Sequence, residues 1–177
     1  MRRVIKRIPL AIVLTVILAL MLTSGVGCGG SEHTSYLKVY YVIGAPAETS
    51  REVLTIVSTE KVDRIKHPLG LGSLFDAADV ASPGTEFVVV EVSVTNVGQS
   101  SSFSISYKDF SITDAQGRVW PCLKYGGYHP YPSKKLAPSQ SAYGYVYFNP
   151  LKMATGLELS CVLQGSPPVL GVWQLPW

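Results

Sequence analysis

Charged residues make up only 15% of this 177-residue sequence, and it holds just three cysteines and three histidines. What is missing rules out several chemistries. There is no Cys-x-x-Cys, and His33, His67 and His129 do not stand at zinc-ligand spacings from the cysteines, so no metal site is expected. No Gly-x-Ser-x-Gly elbow presents a serine nucleophile. The Gly70–Gly72 stretch (GLG) lacks the lysine and the length of a phosphate loop. Asp76 and Asp79, with Asp63 farther off, are too sparse a set of oxygen ligands for calcium. An enzyme is therefore not expected, and no cofactor is implied. No apolar run reaches the ~18 to 20 residues of a bilayer-spanning helix.

The longest apolar run, Leu10 to Leu22, is thirteen residues with Thr15 as its only polar member, and Arg2, Arg3, Lys6 and Arg7 precede it. That is the layout of an export signal. Positive residues stay on the cytoplasmic side, so everything after the run is expected outside. Residues 22–31 read LTSGVGCGGS, which places Cys28 directly after the small residues Gly25 and Gly27. This arrangement resembles the lipobox of bacterial lipoproteins, with Gly25 where that motif usually has leucine. The resemblance implies a lipid on Cys28 and a membrane anchor at the outer face of the cell. An ordinary cleavage before an unmodified cysteine, with secretion, and an uncleaved N-terminal helix are the other readings.

Four of the fifteen basic residues, and none of the twelve acidic ones, precede Cys28. The remainder thus carries eleven basic against twelve acidic residues, a net charge of −1. Nothing basic remains to attract nucleic acid. An odd cysteine in an exported chain is free, paired with another chain or modified, and lipidation of Cys28 would account for it. Cys122 and Cys161 are then expected to form a disulfide. On the chain-entropy view, closing that loop would stabilise the fold by about 4 kcal/mol. Two buried thiols are the alternative.

Residues 1–27 read as the signal, 28–50 as a tether with a first strand at Tyr36 to Ile43, and 51–177 as one domain. The pattern in the domain has period two. In FVVVEVSVTN, Val88, Val90, Val92 and Val94 share one face, and Glu91, Ser93 and Thr95 the other. Phe103 with Ile105 and Phe110 with Ile112 repeat the alternation, and Asp114 to Gly117 (DAQG) marks a turn. Ala142, Gly144, Val146 and Phe148 oppose Tyr143, Tyr145 and Tyr147, while Leu157, Leu159, Cys161 and Leu163 make a further inward row. Val169 to Leu175 is expected as the last strand, and Leu71 to Val80 as the one place for a short helix. Short strands with turn residues between them predict an all-β antiparallel sandwich.

Three segments, GTEFVVVEVSVTNVG, KDFSITDAQGRVW and LAPSQSAYGYVYFNP, carry a resemblance. They are similar to the telokin-like, immunoglobulin-like domain of unknown function found in bacterial surface lipoproteins, a relative of immunoprotective extracellular antigens. The matching positions are Gly84, Phe87, Asn96, Gly98, Asp114, Gly117, Leu136, Pro138, Gly144, Val146, Phe148 and Pro150. Ser139 stands where that family has glycine. The resemblance covers about Glu52 to Gln164 and implies an immunoglobulin-like sandwich of seven or eight strands, with no catalytic residues and no cofactor.

The surface feature that stands out is aromatic. KYGGYHPYPSKK places Tyr125, Tyr128, His129 and Tyr131 in a loop rich in glycine and proline. Tyrosine offers a flat apolar body and a hydroxyl at little entropic cost, which suits a protein or glycan ligand. The alternative is that outward tyrosines simply stabilise a sheet. The expected function is a non-catalytic surface or secreted module, binding or structural, acting as a monomer. An adhesive or inhibitor-like domain that grips a protein through this loop is the second reading, and an enzyme the third.

Overall fold

The computed structural model describes residues 36–67, 77–124 and 129–177. They form thirteen strands in chain order. The first six are β1 (Leu37–Tyr41), β2 (Pro46–Glu48), β3 (Glu52–Val62), β4 (Arg64–His67), β5 (Ala77–Val80) and β6 (Phe87–Asn96). The other seven are β7 (Phe103–Ile105), β8 (Phe110–Thr113), β9 (Val119–Pro121), β10 (Lys134–Leu136), β11 (Ser141–Phe148), β12 (Glu158–Leu163) and β13 (Val169–Gln174). One 3-10 turn, Tyr107–Asp109, precedes β8. No helix among the described residues is long and apolar enough to cross a membrane.

Two sheets face each other, one ordered β1-β13-β12-β8-β9 and the other β2-β3-β6-β11. The chain crosses between them from β6 to β8 and from β11 to β12, and hairpins join β8 to β9 and β12 to β13. This is the Greek-key connection of an immunoglobulin-like sandwich. Strands β7 and β10 pair separately, as do β4 and β5.

The alternation rule explains the core. Val88, Val90, Val92 and Val94 are each fully buried and share one core with Phe110, Ile112, Leu159, Leu163 and Trp173 of the opposite sheet and with Leu157 just ahead of β12. At roughly 1.5–3 kcal/mol for each large apolar side chain removed from water, these rows are the main source of stability. The DAQG turn forms as the sequence predicts. Asp114 Oδ1 accepts the N–H groups of Gln116 and Arg118, and Gly117 takes φ +78°.

Several sequence expectations are corrected. The segment expected as a helix contributes β5, Ala77–Val80, and its first part lies outside the described residues. Strands β1 and β2 are part of the sheets, so the folded unit begins ahead of residue 51. Strand β1 also runs parallel to β13 in an otherwise antiparallel sheet.

The Cys122–Cys161 disulfide does not form, and both residues are buried free thiols. Cys161 pairs with Phe110 on one side of β8, while the Cys122 N–H donates to the Phe110 carbonyl on the other side. The two cysteines therefore stand two strand spacings apart, about 10 Å, beyond the ~7 Å Cα separation a disulfide can bridge. Both point inward, but a whole strand lies between them. Burial pushes the Cys122 thiol up to about 12 and raises that of Cys161 as well.

Candidate functional site: an aromatic cleft beside β11

Strand β11 pairs with β6 on one side only. Its other edge is closed by residues 129–131, which run parallel to it. The Tyr145 N–H donates to the His129 carbonyl at 2.9 Å, and the Tyr131 N–H to the Tyr145 carbonyl at 2.9 Å. This close approach needs a glycine, because a Cβ on Gly144 would lie 2.6 Å from the Tyr131 Cα and 2.8 Å from its nitrogen.

The predicted binding loop is thereby divided. Tyr131 is a core residue, 4% exposed, with its ring edge-on to Phe110 at 5.3 Å between centroids. Burial raises its hydroxyl pKa. His129 is exposed and takes φ +48°. Tyr125 and Tyr128 lie outside the described residues.

The outward tyrosines of β11 form a graded row. Tyr143 is 48% exposed, Tyr145 half-buried, and Tyr147 buried in a small second core with Ile65 and Phe87. Tyr143 and Tyr145 meet edge to face at 5.8 Å, and their hydroxyls are 3.0 Å apart. The Tyr143 hydroxyl donates to Glu91 Oε1 at 2.6 Å, and Ser58 donates to the other carboxylate oxygen. The hydrogen bonds from Ser58 and Tyr143 hold the Glu91 carboxyl below its usual range. The bond to Glu91 in turn raises the pKa of the Tyr143 hydroxyl. Burial pushes Tyr147 up to about 12.

At the buried end of this row lies a cleft of about 360 Å³, within the size range of small-ligand sites. Tyr107, Tyr131, Tyr145 and Tyr147 supply its aromatic surface, and Pro130 and Pro132 another wall. Leu123, Lys124 and Ser133 complete the lining. Three elements far apart in sequence position it. The 3-10 turn carrying Tyr107 is fixed by a capping box, in which Ser106 Oγ accepts the Lys108 N–H and Asp109 Oδ2 the Ser106 N–H. The Ser106 and Ser133 hydroxyls, 3.2 Å apart, join that turn to the start of β10. Leu123 is held by its N–H bond to the Tyr147 carbonyl at 2.8 Å.

Sequence reasoning identified Tyr131 and the β11 row but missed Tyr107, Lys124 and the two prolines as partners. The signal available was the Ser-Tyr-Lys-Asp capping pattern at 106–109, which marks an ordered turn. Among the described residues, no group of three or more His, Cys, Asp or Glu side chains is placed to hold a metal ion. Chemically, the cleft offers ring surface and one ammonium group, that of Lys124.

Neither a family model nor a curated protein sequence matches the chain. Solved structures with the same fold do exist, at low identity. An uncharacterised β-sandwich protein of Clostridium difficile 630 aligns over 83% of this chain and 99% of its own, with 13% identity and a TM-score of 0.51. The YjhA protein of Bacillus subtilis aligns over 76% and 98%, with 13% identity and a TM-score of 0.53. A candidate lipoprotein of Bacillus subtilis, YcdA, matches at 13% identity and a TM-score of 0.53 over 73% of this chain, which spans 38% of that protein.

Proposed function

We propose that this protein is an exported, non-catalytic binding module of the telokin-like kind, tethered at the outer face of the cell membrane through a lipid on Cys28 and engaging its ligand in the cleft beside β11. The cleft carries this reading, because four tyrosines and two prolines from separate segments converge on one concave surface. Such convergence of ring surface is the usual makeup of a recognition site. The thirteen-residue apolar run behind a basic cluster supports export, and the description of YcdA as a candidate lipoprotein is consistent with it. The protein acts as a monomer that presents the cleft to a glycan or protein.

Two measurements test this. A fatty-acid analogue should label the wild type in cells and spare Cys28→Ala; equal labelling of both would remove the anchor from the proposal. A glycan and peptide array probed with the protein should yield a ligand whose binding is abolished by Tyr145→Ser, with the melting temperature changed by no more than a few degrees. Retained binding in that folded variant would place recognition elsewhere.

A further inference from the structure

Of the ten large apolar side chains exposed among the described residues, four fall within seven positions, Tyr36, Leu37, Tyr40 and Val42. The other six stand singly along the chain. Leu37 is 69%, Tyr40 62% and Val42 72% exposed, and they belong to or adjoin β1, which pairs with β13 alone and forms the margin of its sheet. A cluster of this kind marks a contact surface, whereas single exposed apolar residues need no explanation. Its inward neighbours are accounted for, since Tyr41 stacks on Trp173 and Ile43 packs against the core. The cluster also lies far from the aromatic cleft. Leu123, just past β9, bonds Tyr147 of the cleft, and β9 is the other margin of the sheet that β1 begins. Four strand spacings separate the two margins, about 19 Å.

We propose that the β1 margin is a membrane-docking surface: in the chain anchored at Cys28, Tyr36, Leu37, Tyr40 and Val42 enter the headgroup region of the outer leaflet, and the cleft is left facing away from the lipid. The inference rests on the proposed anchor and adds the surface by which the domain meets the bilayer. Tyr36 is eight residues beyond Cys28, so β1 begins no more than about 28 Å from the anchored residue at full extension. Confinement to that distance keeps the local lipid concentration high, and a contact too weak to hold a free protein then suffices. Tyrosine suits the boundary, with its ring among apolar chains and its hydroxyl in water. A second copy of the chain is the other candidate to cover an open strand margin. Lys38 argues against it. Its ammonium group, 2.9 Å from Glu158 and 5.0 Å from the Tyr40 ring centroid, places charge where a second strand would pair. At a membrane the same group stays at headgroup level while its stem covers apolar surface. Lys38 is already paired and the chain from Cys28 onward carries a net charge of only −1, so the docking is apolar and is little screened by salt.

The test uses the anchored protein, purified from cells and reconstituted at low density in vesicles of phosphatidylcholine and phosphatidylglycerol. Val42→Cys or Lys124→Cys carries an environment-sensitive fluorophore, and the parent protein treated with the same reagent supplies the background, Cys122 and Cys161 being buried. The label at 42 is expected to shift to the blue and to be quenched by lipids brominated in the upper acyl chain, at both ~0.02 M and ~0.5 M salt. The label at 124 should show neither effect. Adding Leu37→Ser and Tyr40→Ser to the Val42→Cys protein should remove most of the quenching while the protein stays folded. Protein that floats with the vesicles but shows no quenching at 42, or equal quenching at 42 and 124, would overturn the docking and leave the anchor standing. A blue shift without quenching that grows with protein density would overturn it in favour of a second copy. Undiminished quenching in the folded Leu37→Ser, Tyr40→Ser variant would overturn the assignment to these side chains. Protein that fails to float with the vesicles would overturn the anchor and the docking together.

Discussion

Glu52 opens β3 with only 3% of its surface exposed, and its carboxylate accepts the Gln164 N–H from the chain leaving β12 in the other sheet. Burial pushes its pKa up to about 7, with the Gln164 bond opposing. Asp109 raises it further, while Arg51 lowers it. An unfolded glutamate titrates near 4.3, so between about pH 4.5 and 7 the folded state keeps a proton that the unfolded state has lost. The stabilisation is complete below that window and is lost as pH rises through it. A shift of this size amounts to about 4 kcal/mol at most. Glu52→Gln keeps an oxygen acceptor for Gln164 and cannot ionise. Urea unfolding at pH 5 and pH 8 should therefore show a wild type that weakens with rising pH and a variant with a flatter profile. Asp109, whose carboxyl burial also raises, leaves a residual slope of the same sign. Identical pH dependence in both proteins would show that Glu52 is not the group responsible.

Strand β11 shows how far local pattern reaches. Its alternation of Ala142, Gly144, Val146 and Phe148 against three tyrosines was readable, because a half-buried strand repeats every two residues whatever surrounds it. The burial of Tyr131 was not readable. Pro130 and Pro132 give its neighbourhood the composition of a loop, and only the distant Gly144 lets that loop close on the strand. The missing disulfide has the same origin. The inward direction of Cys122 and Cys161 follows from alternation, but the strand lying between them is a matter of sheet order. Ser139 marks a middle case. It takes φ +62° in the turn closed by the Gln140 N–H bond to Ala137, after Pro138. A type II turn prefers glycine at that position, which is the residue the resembling domains have there.

The same strand gives a test of edge closure. Gly144→Ala forces a methyl against backbone atoms of Tyr131 and Pro130, none of which can swing aside as a side-chain end could. The variant should lose about 2–4 kcal/mol in denaturant unfolding. The amides of Tyr131 and Tyr145 should also exchange faster, since their hydrogen bonds define the closed edge. A loss below about 0.5 kcal/mol, with unchanged exchange, would mean that the segment yields easily and that the cleft wall is soft.

For the whole molecule, the question is how one sandwich keeps its borders from pairing with other chains. Strand β13 has the sequence VLGVWQ, with no charge to discourage pairing. In the folded protein β1 covers it along five residues in parallel register, with Tyr41 stacked on Trp173 at 5.4 Å. The exposed Lys38–Glu158 ion pair adds little stability, but it places charge on the new border where β13 had none. Strand β1 is thus the cover of a sheet edge, and under the proposed anchoring it would also be the junction to the tether. Sequence reading placed a strand here from its tyrosine and valine content. Its partner was not legible, since parallel pairing joins it to the far end of the chain. Deleting residues 36–43 should therefore expose the β13 edge and Trp173. Sedimentation should then show more concentration-dependent self-association than for the intact protein, and the melting temperature should fall. If the deletion is paired with Leu170→Lys and Gln174→Lys, whose side chains lie on the strand face opposite Trp173 and of which Gln174 is exposed, association should be suppressed while the lowered melting temperature remains. A deletion variant that stays monomeric with an unchanged melting curve would show that β1 is neither cover nor support, and that the edge is protected by other means.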